Sequence, residues 1–245
     1  MDKSIKEFIW SNRPYFEDFI TRCTYHSNRI EGSTISYAET YALIFGDDSF
    51  RITATPREIY DAINHKYAMD YMMKTMQEQL TEADIKELAR RINRNMDEVS
   101  GYRQTRVLIR GAEHIPPAPE QIRQAMMYFV YNYNHTTFDS IYHKMAEMHI
   151  QFERIHPFSD GNGRTGRLLL SYELLKNDLP PMVIPSEQRT EYFAFLAKQD
   201  IKGLSDFFRE LSEQEKERIK GFEASENKAD PKQEARASGK AASKR

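Results

Sequence analysis

The chain has 245 residues, 40% of them hydrophobic and 29% charged, with a formal net charge of −2; this gives one large or two small domains of ordinary globular composition and argues against a strongly electrostatic nucleic-acid binder. No apolar run approaches the roughly 20 residues that span a bilayer, and residues 1–7 lack the apolar stretch of a signal peptide, so neither a membrane nor a nucleic acid is an expected partner. Cys23 is the only cysteine, which excludes an intrachain disulfide and a thiolate metal cluster and makes the cytoplasm the default location.

The apolar spacing is mostly helical. Phe16, Phe19, Ile20, Cys23 and Ile30 recur near a 3.6-residue period, with Pro14 suited to a first turn and Gly32 to a helix end. Ser36/Glu39, Thr55/Glu58 and Thr81/Asp84 have the spacing of capping boxes and predict three helix starts. The second helix is expected to carry Ile59, Ile63 and Tyr67 on one face, and the third Ile85, Leu88 and Ile92. Residues 105–110 are β-rich, followed by Gly111 and the Pro116-Pro117 pair, and predict a short β-hairpin. Helical spacing resumes at Ile122, Met126, Phe129 and Tyr133, then at Ile141, Met145, Met148 and Phe152. The pairs Met72-Met73 and Met126-Met127 are expected to pack in the core. Further helices are predicted over 168–175, over 187–199 and from Leu204 onward. Beyond Lys220 apolar residues nearly vanish, which predicts a disordered tail over 221–245. The expected architecture is all-α, a helical bundle with a short β-hairpin flap: an N-terminal region 1–35, a catalytic domain 36–220 and the tail.

The segment from His156 to Arg167 concentrates chemistry. A helix ends near Ile155, a loop follows with glycines at 161, 163 and 166, and a new helix begins near Gly163. N–H groups at a helix start are unpaired and lie at the positive end of the macrodipole, so such a loop can hold phosphate oxygens. Arg164 and Arg167, three apart, share a face and match phosphate geometry. Asp160 is a hard oxygen donor suited to Mg²⁺, and His156 titrates where it can take a proton from a hydroxyl. Each feature has a plain structural reading when taken singly; the combination is what nucleotidyl or phosphoryl transfer requires. Gly161 and Gly166 have the P-loop spacing, but Arg167-Leu168 stands where Lys-Ser/Thr is needed and no strand precedes, which excludes that motif. His143, Glu147 and His149 are not spaced as a metal site and are expected to be structural.

His156-Pro157-Phe158-Ser159-Asp160-Gly161-Asn162-Gly163-Arg164-Thr165-Gly166-Arg167 resembles, at every specified place, the signature of the Fic (filamentation-induced-by-cAMP) family. Gly101-Tyr102-Arg103, the β-rich segment, Pro116-Pro117 and His149 agree with it, and the resemblance covers roughly residues 25–208. It implies transfer of AMP from ATP to a Ser, Thr or Tyr hydroxyl of a protein. By position it implies His156 as general base and Asp160 as ligand of Mg²⁺. Gly161, Asn162 and Gly163 would cradle phosphates, Arg164 and Arg167 would hold the β- and γ-phosphates, and Phe158 would be a core anchor of the loop. Gly163, where some relatives carry lysine, favours AMP transfer over phosphorylation. Segment 103–110 resembles the flap on which a target segment docks as an added strand, and Tyr192 matches a tyrosine lining the adenine pocket. Self-modification and oligomer formation are left open.

Ser27 and Glu31, four apart with Gly32 following, share a helix face; by composition this is a capped helix end. The run also resembles the inhibitory Ser/Thr-x-x-x-Glu-Gly motif of the subgroup that carries its inhibitory helix N-terminally, which implies that Glu31 pairs with Arg167 and misaligns ATP. The alternatives are removal of AMP from a modified protein, using Glu31, and a nucleotide-binding regulator without transfer.

Overall fold

A computed structural model of the chain describes residues 4–46, 51–76, 78–96, 101–109 and 113–229. Local signals start the first helices. Ser4 and Glu7 form a capping box for α1 (Ile5–Ser11), and the Asn12 side chain caps α2 (Arg13–Ile30), which carries proline in its first turn. The boxes read from the sequence are formed at Ser36/Glu39 for α3 (Tyr37–Phe45), Thr55/Glu58 for α4 (Pro56–Thr75) and Thr81/Asp84 for α5 (Glu82–Ile92). Each cap satisfies donors that the helix cannot, worth about 1 kcal/mol. The rest is α6 (Pro119–His135), α7 (Ile141–Ile155), α8 (Asn162–Lys176), a single 3-10 turn Ser186–Gln188, α9 (Arg189–Lys198) and α10 (Ile201–Ala229). None of the helices is long and apolar enough to cross a membrane.

Helix α8 positions the site. All its residues except Gly163 and Lys176 are buried, because it runs between two apolar clusters. One joins Phe19 of α2, Met69 of α4, Leu88 of α5, Phe129 of α6 and Phe152 of α7 to Leu168. The other joins Ile30, Met145, Tyr192, Leu204 and Phe208 to Leu170 and Leu174. A helix covered on all sides shows no polar face, which is why its sequence lacks an amphipathic stripe. Residues of α1 and α2, including Ile5, Phe8, Ile9, Tyr15 and Phe19, belong to the first cluster, so the N-terminal region shares the core of the rest.

Three expectations are corrected, and α4 buries a face other than the one carrying Ile59, Ile63 and Tyr67. The buried face of α4 is Ala62, Ala68, Met69, Met72 and Met73 together with Asn64 and His65, whereas Ile59 and Ile63 are half-buried and Tyr67 is 48% exposed. Tertiary partners bury the polar pair: His65 Nδ1 meets Thr24 Oγ1 at 3.1 Å, and Asn64 Nδ2 donates to the Arg94 carbonyl at 2.6 Å. Met127 is 52% exposed and does not pack with Met126. The expected tail is helical as far as Ala229, held by Ile219 in the core and Phe222 edge-on to Tyr15 at 5.5 Å; residues 230–245 lie outside the described residues. No strand is present among the described residues: 106–109 carry no ladder hydrogen bonds, Leu108 is 81% exposed, and Arg110 to Ala112 of the expected hairpin are outside the description. A strand is defined by its partner, and β propensity alone supplies none.

Candidate active site

His156 is the C-cap of α7, in the left-handed region at φ 49°, with its N–H donating to the Phe152 carbonyl at 3.0 Å. For a non-glycine residue that conformation costs on the order of 1 kcal/mol and persists only where surroundings impose it. Arg103, 4% exposed, imposes it. Its Nε donates to the His156 carbonyl (2.8 Å), its backbone N–H to Pro157 (2.9 Å), Nη2 to Pro117 (2.7 Å) and Nη1 to Thr105 (2.8 Å). One guanidinium thus ties both ends of the 103–117 segment to the residue expected to act as base.

The loop beyond is anchored from below. Phe158 is fully buried, its ring 5.8 Å from Tyr102. The Asn162 amide closes a ring with the Phe158 backbone, accepting its N–H at 2.9 Å and donating to its carbonyl at 2.9 Å. The Asn162 side chain is thereby occupied, and what the residue offers a ligand is its backbone N–H. Gly161, the N-cap of α8 at φ 75°, leaves no room for a side chain: a Cβ would lie 2.7 Å from Asn93 Nδ2, which donates to the Asp160 carbonyl. The Gly161 N–H goes to Asp160 Oδ1 at 2.7 Å, and glycine supplies no side-chain cap. The N–H groups of Asn162, Gly163 and Arg164 therefore precede any intrahelical acceptor, at the positive end of a fifteen-residue helix.

An acidic side chain sits over that turn. Glu31, the C-cap of α2, lies against Gly163, so that a Cβ there would collide with Glu31 Oε1 and stand 3.0 Å from Arg167 Nη1. Arg167 Nη2 donates to Glu31 Oε1 at 2.7 Å and to the Ser27 carbonyl at 2.9 Å, and Nε to Ser27 Oγ at 3.0 Å. Ser27, Glu31 and Arg167 thus meet as the sequence implied, and Glu31 raises the Arg167 pKa against the opposing effect of burial. Arg164 points the other way. It is 4% exposed and paired with Asp61 and, at 3.3 Å, with Asp160 Oδ2, which also pairs with Arg57. The two arginines do not form one open cation face as expected, because α8 is buried on the Arg164 side by α4.

Tyr192 also departs from expectation. It has no exposed surface; its hydroxyl is 2.6 Å from His149 Nε2 and beside Arg167. It therefore offers no wall to an adenine here and instead backs Arg167 from beneath. His149 is structural, as expected, held neutral by burial with its pKa pushed down to about 3. Burial is also the largest influence on His156 and lowers its pKa, partly offset by the Glu153 carbonyl facing the ring. A half-buried imidazole that stays neutral at physiological pH can accept a proton. Sequence reasoning missed Asp61, Arg57 and Asn93, whose roles exist only through contacts across more than 60 residues.

The Fic/DOC family model matches residues 79–174, the span that contains this site. The chain carries a Fic/DOC domain. The protein adenylyltransferases Fic of Drosophila grimshawi and Drosophila melanogaster are each 33% identical to it over 199 residues, 77% of this chain. The chain spans about 40% of the length of these curated relatives. The fold is that of a Fic-domain-containing signaling protein from Bacteroides thetaiotaomicron, with a TM-score of 0.76 at 24% identity, covering 89% of this chain and 95% of that one. Fic-1 from C. elegans aligns with a TM-score of 0.70 at 27% identity over 86% of this chain and 64% of that one. The Fic domain of the present chain thus places its signature on α8 and the loop before it, with α2 of the same chain closing over Arg167.

Proposed function

We propose that this protein is an adenylyltransferase that moves AMP from ATP to a protein hydroxyl, and that Glu31 restrains it. The observation that carries the reading is a neutral, half-buried imidazole beside an uncapped helix start whose helix carries a buried cation, Arg167, already paired with a carboxylate from α2 of the same chain. The resemblance to Fic adenylyltransferases over 199 residues supports the same chemistry.

In this reading the N–H groups of Asn162, Gly163 and Arg164 receive phosphate oxygens, and Arg167 receives the terminal phosphate once Glu31 moves away. The target hydroxyl attacks the α-phosphorus in line, its proton passes to His156, and pyrophosphate leaves. Positioning and charge stabilisation give most of the rate gain, and the base adds roughly 10²–10⁴-fold. Among the described residues no three His, Cys, Asp or Glu side chains gather to hold a resident metal. Asp160, a carboxylate 32% exposed, fits instead a Mg²⁺ that arrives with the nucleotide, since that ion binds through one or two carboxylates plus phosphates. Bound there, it would neutralise charge on the phosphates.

The 103–110 segment is the docking edge for the target. Its unladdered backbone over 106–109 can pair with an extended peptide, and Arg103 fixes its base to the His156 carbonyl, which delivers the hydroxyl close to the imidazole. A segment of a second copy can dock in the same way, giving self-modification in an oligomer. Cys23, a buried free thiol, accords with a cytoplasmic setting.

The test is mass spectrometry of the Glu31→Gly protein incubated with ATP, Mg²⁺ and cell lysate. AMP adducts on hydroxyl side chains, absent with Glu31→Gly/His156→Ala, are expected; phosphate adducts, or AMP adducts that persist without His156, refute the reading. Removal of AMP is a second reading, favoured by the charge of Glu31 acting on His156. Release of AMP from a modified target by the unsubstituted protein, lost in Glu31→Gly, would establish it.

A further inference from the structure

A second carboxyl lies close enough to Arg167 for the two charges to interact. Glu153 lies on α7, three residues before His156. Its side chain keeps 16% of its surface, but Oε1 is buried and has no hydrogen-bond partner among the described residues. On α8, Gly166 makes room for it: a Cβ there would stand 2.8 Å from Glu153 Oε1 and 2.9 Å from His149 Cε1. Arg167, the next residue, has a buried Nη1 that likewise lacks a partner. Two complementary groups on the adjacent helices α7 and α8 are thus buried and each unsatisfied, while Glu31 Oε1 takes Arg167 Nη2.

We propose that Glu153 is a positioning residue that shares Arg167 with Glu31 and with the nucleotide: it holds its proton more tightly while either of those anions is on Arg167 than when neither is, so that nucleotide binding after Glu31 has left takes up a proton there. The inference rests on the reading that a triphosphate replaces Glu31 on Arg167. A buried cation with no counter-ion is costly, and Glu153 is the nearby group able to supply one when Glu31 has moved and ATP has not arrived.

The groups facing Glu153 set the direction of the linkage. They are Glu31 from α2, His149 and His156 from α7, Arg167 from α8 and Tyr192 from α9. His149 is held neutral by burial, and burial keeps the Tyr192 phenol protonated, so neither contributes charge. His156 is likewise lowered by burial. With Glu31 in place, burial and then Glu31 push the Glu153 carboxyl up while Arg167 opposes them, leaving it at about 7. Withdrawal of Glu31 removes a negative neighbour and lowers that value; a phosphate on Arg167 restores the repulsion and raises it. Between the two values ATP binds with proton uptake and weakens as pH rises.

The test is calorimetric titration of ATP with Mg²⁺ into the full chain carrying Glu31→Gly, between about pH 6 and pH 8, in buffers of different ionisation enthalpy. Proton uptake approaching one per nucleotide is expected, with affinity falling by up to about tenfold per pH unit. Glu31→Gly/Glu153→Gln should keep only the nucleotide's own proton linkage and should hold, across the range, the tighter affinity seen at low pH. Equal uptake and equal slopes in the two proteins would overturn the proposal. Carbon-13 NMR of glutamate carboxyls in the Glu31→Gly protein gives a reading that does not depend on the Gln variant folding. One carboxyl should titrate well above the usual Glu value of about 4.3 and move further up with ATP; its absence also overturns the proposal. AMP transfer measured alongside separates the two readings. Transfer with equal slopes removes the Glu153 role alone, linked binding without transfer removes the transferase reading alone, and absence of ATP binding removes both.

Discussion

Replacing Glu31 with glycine isolates the contact that occupies the nucleotide's place. Glu31 Oε1 lies 2.7 Å from Arg167 Nη2. Opposite charges about 4 Å apart, at the effective dielectric of a partly buried site, attract by about 4 kcal/mol. Arg167 is 7% exposed but Glu31 is 41% exposed, so solvent screens part of that. Discounting for the screening leaves about 1.4–2.7 kcal/mol, or roughly a ten- to hundredfold competition against any phosphate seeking the same guanidinium. The Glu31→Gly protein should therefore bind a non-hydrolysable ATP analogue roughly 10–100 times more tightly in calorimetric titration, with the difference shrinking as salt is added. Without nucleotide it should melt at a lower temperature, because Arg167 loses its direct ion pair while its hydrogen bonds to Ser27 remain. Affinities equal within about twofold would refute the competition, since the magnitude follows directly from the pair's geometry.

Two further outcomes are expected. At saturating ATP the Glu31→Gly protein should keep its turnover down to a pH below the ordinary histidine value of about 6.5 and lose it on further acidification, because burial favours the neutral, proton-accepting imidazole of His156; an acid limb above that value would contradict the assignment. Glu215→Ala should lower stability by about 3–5 kcal/mol, or about 6–20 °C in melting temperature. Glu215 is 5% exposed and accepts from Arg22 Nη2 (2.6 Å), Arg22 Nη1 (2.8 Å) and the Tyr15 hydroxyl (2.8 Å), so its removal takes three contacts from the seam between α2 and α10 and leaves the Arg22 charge to Asp18. A shift below about 2 °C in a thermal melt would show that the triad contributes little.

The sequence alone determined what depends on short spacings. Capping boxes, apolar periods in α5 to α7 and the glycine-lined start of α8 were legible because each arises from local hydrogen bonding, helix repeat or a compact motif, whereas the pairing of Glu31 with Arg167, 136 residues apart, was implied only by resemblance to a family motif. Tertiary structure decided which side of each helix lies inside and which charges meet. Asn64 and His65 rather than Ile59 and Tyr67 face the core, where the Arg94 carbonyl accepts from Asn64 and Thr24 Oγ1 meets His65 Nδ1. Arg164 is withdrawn from solvent by Asp61, a residue far away in the chain. Tyr192 lies beneath Arg167 because α9 packs its ring onto His149. Such contacts carry no sequence period: an ion pair or a buried hydrogen bond is specified only when the packing of several helices brings its two halves to the same point, and the chain's pattern records the halves without recording the meeting.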